Sequence, residues 1–136
     1  MSFQANDDIK AGLVAKLKAD TTLVAALSSS SDIKESQWQG DTFVYPAVRV
    51  RILSNVPPDS DCEYGIVTAG VLVFSEEASS LEADTIAGII RTALHKKSFT
   101  SSGVAFTGMR VTNLVPAIRS DRNTWRSEVL LRTIAN

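Results

Sequence analysis

Residues 79–97 read SSLEADTIAGIIRTALHKK, and this stretch decides the fold. Its apolar residues recur at helical spacing, so they form one stripe that can pack on a sheet. These residues are Leu81, Ala83, Ile86, Ile89, Ile90, Ala93 and Leu94. Ser79 and Glu82 have the spacing of a capping box, and Lys96 and Lys97 suit the negative end of the helix dipole. The sequence predicts one long helix over residues 79–97.

Two β-rich segments precede this helix and two follow it. Residues 43–53 and 124–134 alternate in the period of a strand, and residues 62–75 are apolar on both faces, as in a central strand. The third predicted strand covers residues 104–115, and Gly108 in its middle indicates a bulge or a bend. Each strand pair is joined by a short polar connection, which favours antiparallel pairing.

The N-terminal part is helical and is followed by a weakly patterned stretch. An amphipathic helix is expected near residues 7–18, and Asp20 is placed to cap a second short helix over residues 21–27. Four serines then indicate a loop. In residues 33–41 the one aromatic group is Trp38, which suits packing on the domain edge or contact with a partner.

Together these segments predict a single α+β domain spanning residues 1–136. We expect a four-stranded, mainly antiparallel sheet. An N-terminal helix and one long helix between the two strand pairs pack on one face of that sheet.

Composition excludes several classes of protein. Fourteen basic and fifteen acidic residues give a net charge of −1, which argues against a protein that coats nucleic acid. One cysteine, Cys62, leaves no internal disulfide. No apolar run is long enough to cross a membrane, and the start MSFQANDDIK lacks the apolar segment of a signal peptide. We therefore expect a protein of the cytosol, or of a particle assembled there.

The sequence shows no catalytic pattern. His95, the one histidine, falls at the end of the predicted long helix, where the dipole favours a partly positive imidazole. No phosphate-binding glycine motif is present, and Asp59 and Asp61 lack the further oxygen ligands of a calcium loop. We expect no enzymatic activity, no cofactor and no metal.

The charge is unevenly distributed along the chain. Residues 1–68 carry six basic and nine acidic groups, whereas residues 69–136 carry eight basic and six acidic groups. Arginine is the residue type best suited to paired carboxylates at interfaces and to phosphates. Two uses therefore stay open, which are contact between copies with oppositely charged sides and contact with a phosphate backbone. The net negative charge favours the first.

Candidate interface residues follow from this charge pattern and from the turn-rich loops at residues 54–61 and 119–123. They are Arg49, Arg51, Arg110, Arg119, Arg122, Arg126, Pro57, Pro58 and Asp59.

Four stretches carry a resemblance to a known family. They are DIKAGLVAKLKADTTLVAAL (8–27), YPAVRVRI (45–52), VLVFSEEASSLEADTIAGIIRTAL (71–94) and RNTWRSEVLLRTI (122–134). Together they resemble the tail-terminator, or tail-completion, proteins of long-tailed bacteriophages, which close the tail tube and join it to the head.

The resemblance implies a non-enzymatic structural protein of the virion tail or neck, assembled in the host cytoplasm. It implies a ring of six copies that contacts the tail tube protein and the connector or stopper proteins, with DNA only passing through the lumen. Two alternatives stay open, a head-side connector or stopper ring and a small nucleic-acid-binding domain that uses the C-terminal arginines.

Overall fold

The computed structural model describes residues 3–27, 32–35, 44–59, 63–77, 79–120 and 123–136. Within these ranges the chain forms three helices and six strands. The helices are α1 (Asn6–Lys18), α2 (Thr21–Ala26) and α3 (Leu81–Leu94). The strands are β1 (Ile33–Glu35), β2 (Ala47–Val56), β3 (Gly65–Ser75), β4 (Lys97–Ser101), β5 (Val104–Arg119) and β6 (Trp125–Ala135).

The strands form one mixed sheet in the order β1-β2-β3-β6-β5-β4. β1 runs parallel to β2, whereas the other neighbouring strands pair antiparallel. The six-stranded sheet curls into a half-barrel. The expected four-stranded sheet is therefore wrong, because a further strand lies on each edge.

The two additional strands have weak sequence signals. β1 is three residues long, and two of them are Lys34 and Glu35, so the segment is too short to show a period. β4 reads KSFTS, which resembles a polar loop. It forms a strand because Ser102 and Gly103, with φ of 50° and 80°, make a two-residue hairpin turn between Ser101 and Val104.

The central helix is shorter than predicted. α3 ends at Leu94, Lys96 has a φ of 60°, and Lys97 already belongs to β4. The capping box is also wrong, because Ser80 is the N-cap residue and makes no side-chain cap bond. Glu82 instead accepts a hydrogen bond from Ser75 Oγ at 2.8 Å. The predicted cap of α2 is confirmed, since Asp20 Oδ1 accepts from Leu23 N at 2.9 Å.

The helices share one core with one face of the sheet, which we call the helix face. This core joins Ile9, Leu13 and Leu17 of α1 to Ile86, Ile90 and Leu94 of α3. The strands contribute alternate residues, namely Val48, Val50, Val67, Ala69, Val71, Val73, Val129 and Leu131. Burial of these aliphatic side chains, each stabilising by roughly 1.5–3 kcal/mol, is the main term holding the helices on the sheet.

Strand β5 extends well beyond β4. The predicted bulge is confirmed, since the register of β5 against β6 shifts between Thr107 and Arg110, around Gly108. β4 pairs with β5 as far as Met109, and β5 continues through Pro116 to Arg119. Two side chains from the helix side bond to this extension. His95 Nδ1 accepts from Val111 N at 3.0 Å, and Asp84 Oδ1 accepts from Ala117 N at 3.0 Å.

Candidate functional site

The side of the sheet opposite the helices, which we call the open face, carries more basic than acidic side chains. Its residues alternate with those of the core. They include Ala47, Arg49, Arg51, Ile66, Thr68, Gly70, Leu72, Phe74, Thr107, Arg110, Val115, Ile118, Arg126, Glu128, Leu130, Arg132 and Ile134. Five of these residues are arginines, and one, Glu128, is acidic. An anionic partner surface is therefore complementary to this face.

Arg49 lies buried at one side of the open face, with 6% of its surface exposed. Its Nη1 donates to Asp32 O at 2.8 Å and to Val48 O at 3.0 Å. Burial lowers the pKa of Arg49, while the nearby carboxylates of Asp32 and Glu35 act in the opposite direction. Since Arg49 ties the segment before β1 to β2, its contribution in this subunit is structural, and its role at an interface stays a prediction.

Arg51 is engaged within the subunit as well. It donates from Nε to Glu128 Oε2 at 2.7 Å and from Nη2 to Glu128 Oε1 at 2.8 Å. The pair crosses β3 above Gly70, where an added Cβ would clash with Glu128 Oε2. Glycine is thus needed at this position to let the two side chains meet.

Arg110 and Arg132 form a different arrangement. They lie directly opposite each other on β5 and β6, and both are exposed. Within the described ranges neither arginine forms an ion pair with a carboxylate. Two like charges at opposed positions destabilise a sheet, so this pair is unfavourable in the isolated subunit.

A groove of about 340 Å³ is lined by both of these arginines. Ile66 and Ile134, opposite each other on β3 and β6, form its apolar part, and Gly108 leaves one wall without a side chain. Ile134 is 40% exposed. The groove therefore presents a small apolar floor with two neighbouring cations at its edge.

The remaining candidates are divided between the two ends of the sheet. At one end, Arg119 Cζ lies 5.0 Å from the centroid of the Trp125 ring. Arg126 is exposed on the open face near the same end. Pro57, Pro58 and Asp59 follow β2 at the other end, where Val56 is opposite Ile66. Arg122 lies outside the described residues, as do Trp38 and Cys62.

The structure offers no catalytic arrangement around His95. Partial burial, followed by the neighbouring cations Arg91, Lys96 and Arg110, lowers the pKa of its imidazole. Its Nδ1 also accepts the Val111 N–H, which requires an unprotonated nitrogen. The imidazole of His95 is therefore neutral, in contrast to the partly positive state expected from the helix dipole. No group of three or more potential metal ligands occurs within the described part of the chain.

Two exposed residues were not among the predicted candidates. Arg132 became a candidate only through its register with Arg110, which the sequence does not contain. Leu81, the first residue of α3, is 72% exposed, although its helical spacing had placed it on the buried stripe. The sequence did contain one signal that Leu81 faces outward, which is its position in the first turn of the helix with Glu77 and Asp84 on either side.

Comparison with known proteins identifies the family. A family model described as tail completion protein gp17 matches residues 11–136. This chain belongs to that family. No curated protein matches the chain at a significant level.

The fold of this tail completion protein is shared with a solved structure. A chain of the "Virion of native gene transfer agent (GTA) particle" superposes with a TM-score of 0.71 and 16% sequence identity, and the match covers 93% of each chain. At this identity the similarity concerns the fold.

Membership of the family makes this a phage structural protein located in the virion tail, where it assembles with other particle proteins. None of the helices in the described ranges has the length and apolar character needed to span a membrane.

Proposed function

We propose that this tail completion protein forms a ring of six copies that closes the end of the tail tube and joins it to the head. In this role the protein transforms no substrate. The tail tube protein and the connector or stopper proteins are its neighbours, and DNA passes through the lumen of the ring.

The observation that carries this proposal is the presence of two oppositely charged patches on one subunit. Arg110, Arg126 and Arg132 are exposed on the open face, while Glu76, Glu77 and Asp84 are exposed around the start of α3. A ring requires head-to-tail contacts, in which two different patches of one subunit complement each other. The exposed arginines of the open face and the carboxylates around the start of α3 supply such patches.

Among the predicted interface residues, Arg110 and Arg126 are the exposed arginines of the open face. We assign them to contacts with neighbouring subunits. Arg119, Pro57, Pro58 and Asp59 lie at or just beyond the ends of β5 and β2, and we assign them to contacts with the tube or the neck. The same assignment is proposed for Arg122, which lies outside the described residues. Arg49 and Arg51 serve mainly to hold these surfaces in place, because each bonds within its own subunit.

Electron microscopy of the purified protein, alone and mixed with tail tubes, tests this function. Six-fold rings at tube ends, with a matching mass by native mass spectrometry, are expected. Rings that bind isolated portal and connector assemblies but not tubes would favour the head-side connector or stopper function instead. DNA binding that weakens steeply with salt, without rings in either mixture, would favour the nucleic-acid-binding alternative.

A further inference from the structure

We infer that Leu81 of one copy inserts into the groove lined by Ile66, Ile134, Arg110 and Arg132 of the next copy. Carboxylates beside Leu81 then pair with the two arginines. This inference rests on the proposed ring and names the two surfaces that form its repeating contact.

The groove has the chemistry of a receptor for an apolar side chain flanked by anions. Ile66 and Ile134 offer apolar surface, and the cations of Arg110 and Arg132 lie beside it without a carboxylate partner among the described residues. Carboxylates from another molecule would relieve the repulsion between these opposed arginines. A phosphate backbone would satisfy the arginines too, but it would leave the isoleucines without an apolar partner.

The complementary feature lies on the same chain. Leu81 is 72% exposed in the first turn of α3, an unusual position for a large aliphatic side chain that belongs to an otherwise buried stripe. Asp84 is exposed three residues later and therefore lies on the same side of the helix. Glu76 and Glu77 are exposed just before the helix. The first turn of α3 thus presents one exposed apolar side chain surrounded by carboxylates.

Leu81 cannot reach the groove of its own subunit. The groove begins at Ile66, near the start of β3, whereas α3 follows the end of β3 at Ser75. Nine residues of strand separate these points by roughly 30 Å. The groove also lies on the open face, while α3 packs on the helix face. The contact must therefore join two copies, and where it repeats head to tail with a rotation that closes it generates a ring.

Disulfide crosslinking tests the contact directly in the full-length protein. The variant carries Leu81→Cys and Ile134→Cys in a Cys62→Ser background, so that no native thiol competes. Both positions are exposed, so both substitutions leave the core intact. After assembly with tail tubes and mild oxidation, a ladder of covalent multimers is expected on a non-reducing gel.

Matched controls separate this contact from random collision. Each single-cysteine variant should give no species larger than a dimer. A pair of Leu81→Cys and Thr100→Cys, with the second thiol on the exposed edge strand β4, should give no ladder. The circular dichroism spectrum and thermal midpoint of each variant should match those of the Cys62→Ser parent.

The possible outcomes distinguish the interface from the ring itself. Rings without the expected ladder would overturn this inference and leave the proposed function standing. Absence of rings from the parent protein as well would overturn both.

An Arg110→Glu, Arg132→Glu variant should lose assembly, and added Glu76→Arg and Glu77→Arg substitutions should restore it. If the arginine variant still assembles and loses only DNA binding, the groove binds phosphate and the inference fails.

Discussion

Arg51 and Glu128 meet across strand β3, with Arg51 Nε 2.7 Å from Glu128 Oε2 and Arg51 Nη2 2.8 Å from Glu128 Oε1. The two residues belong to β2 and β6, which are not neighbours in the sheet. The bond is available because the intervening strand has glycine at residue 70, directly beneath the two side chains. A two-point ion pair of this kind fixes the position of three strands relative to one another.

Gly70→Ala should therefore destabilise the subunit. The new Cβ would clash with Glu128 Oε2, and overpacking of this kind costs roughly 1–3 kcal/mol in the free energy of unfolding, measured by urea denaturation. Gly88→Ala is the matched control, since a Cβ at Gly88 in α3 meets nothing within 4 Å. That substitution should stabilise the subunit by up to about 1 kcal/mol. Equal effects of the two substitutions would contradict this account.

Glu128→Gln should weaken the same bridge without changing side-chain size. The Glu128 side chain is 13% exposed and that of Arg51 is 40% exposed, so we expect a loss of about 1–2 kcal/mol, moderated by solvent on the arginine side. Lys10→Gln supplies the comparison, because Lys10 Nζ lies 3.8 Å from Glu35 Oε2 in a longer pair whose carboxylate is 33% exposed. It should cost less than about 0.5 kcal/mol. A double-mutant cycle with Arg51→Gln measures the coupling, and a coupling near zero would show that the bridge contributes nothing.

Acid should destabilise the protein below about pH 6.5, the ordinary pKa of histidine. The pKa of His95 is lower in the folded state, so as the pH falls the unfolded chain binds a proton before the folded chain does. The stability that depends on neutral His95 is complete above about pH 6.5 and is lost progressively as the pH falls toward the lowered pKa.

His95→Gln provides the test, because the amide oxygen can still accept the Val111 N–H and does not titrate. Urea unfolding at pH 7.5, 6.5 and 5.5 should show a decline for the parent that the variant lacks. A parallel decline in both proteins would assign the effect to other groups.

The two helix starts predict different responses to removal of a cap. Asp20→Ala removes the bond to Leu23 N and should cost about 1 kcal/mol in unfolding free energy. Ser80→Ala removes an N-cap residue whose side chain makes no cap bond, so its effect should be a few tenths of a kcal/mol at most. A larger loss from Ser80→Ala than from Asp20→Ala would reverse this assignment of the caps.

The sequence predicted those elements whose periodicity is strong and local. The stripe from Ala83 to Leu94 identified α3, the doubly apolar run identified β3, and Gly108 identified the bulge in β5. β1 and β4 escaped prediction because short polar strands are stabilised by their neighbours in the sheet rather than by their own pattern.

The candidate site was less predictable than the fold, since it depends on register. The cluster of C-terminal arginines was visible as composition, yet the sheet separates Arg119 above Trp125 from Arg110 beside Arg132. Similarly, Arg51 and Glu128 are 77 residues apart in the chain. Their pairing becomes apparent only when β3 is known to lie between β2 and β6.

The extension of β5 past β4 leaves a strand edge at which other chains could aggregate, and the subunit limits this risk. An uncovered strand with apolar side chains can recruit strands from other chains and start fibrils. Here the imidazole of His95 and the carboxylate of Asp84 already occupy two of its backbone donors. We therefore expect newly made copies to stay monodisperse until they are incorporated, because the exposed edge of β5 does not pair with strands of other copies.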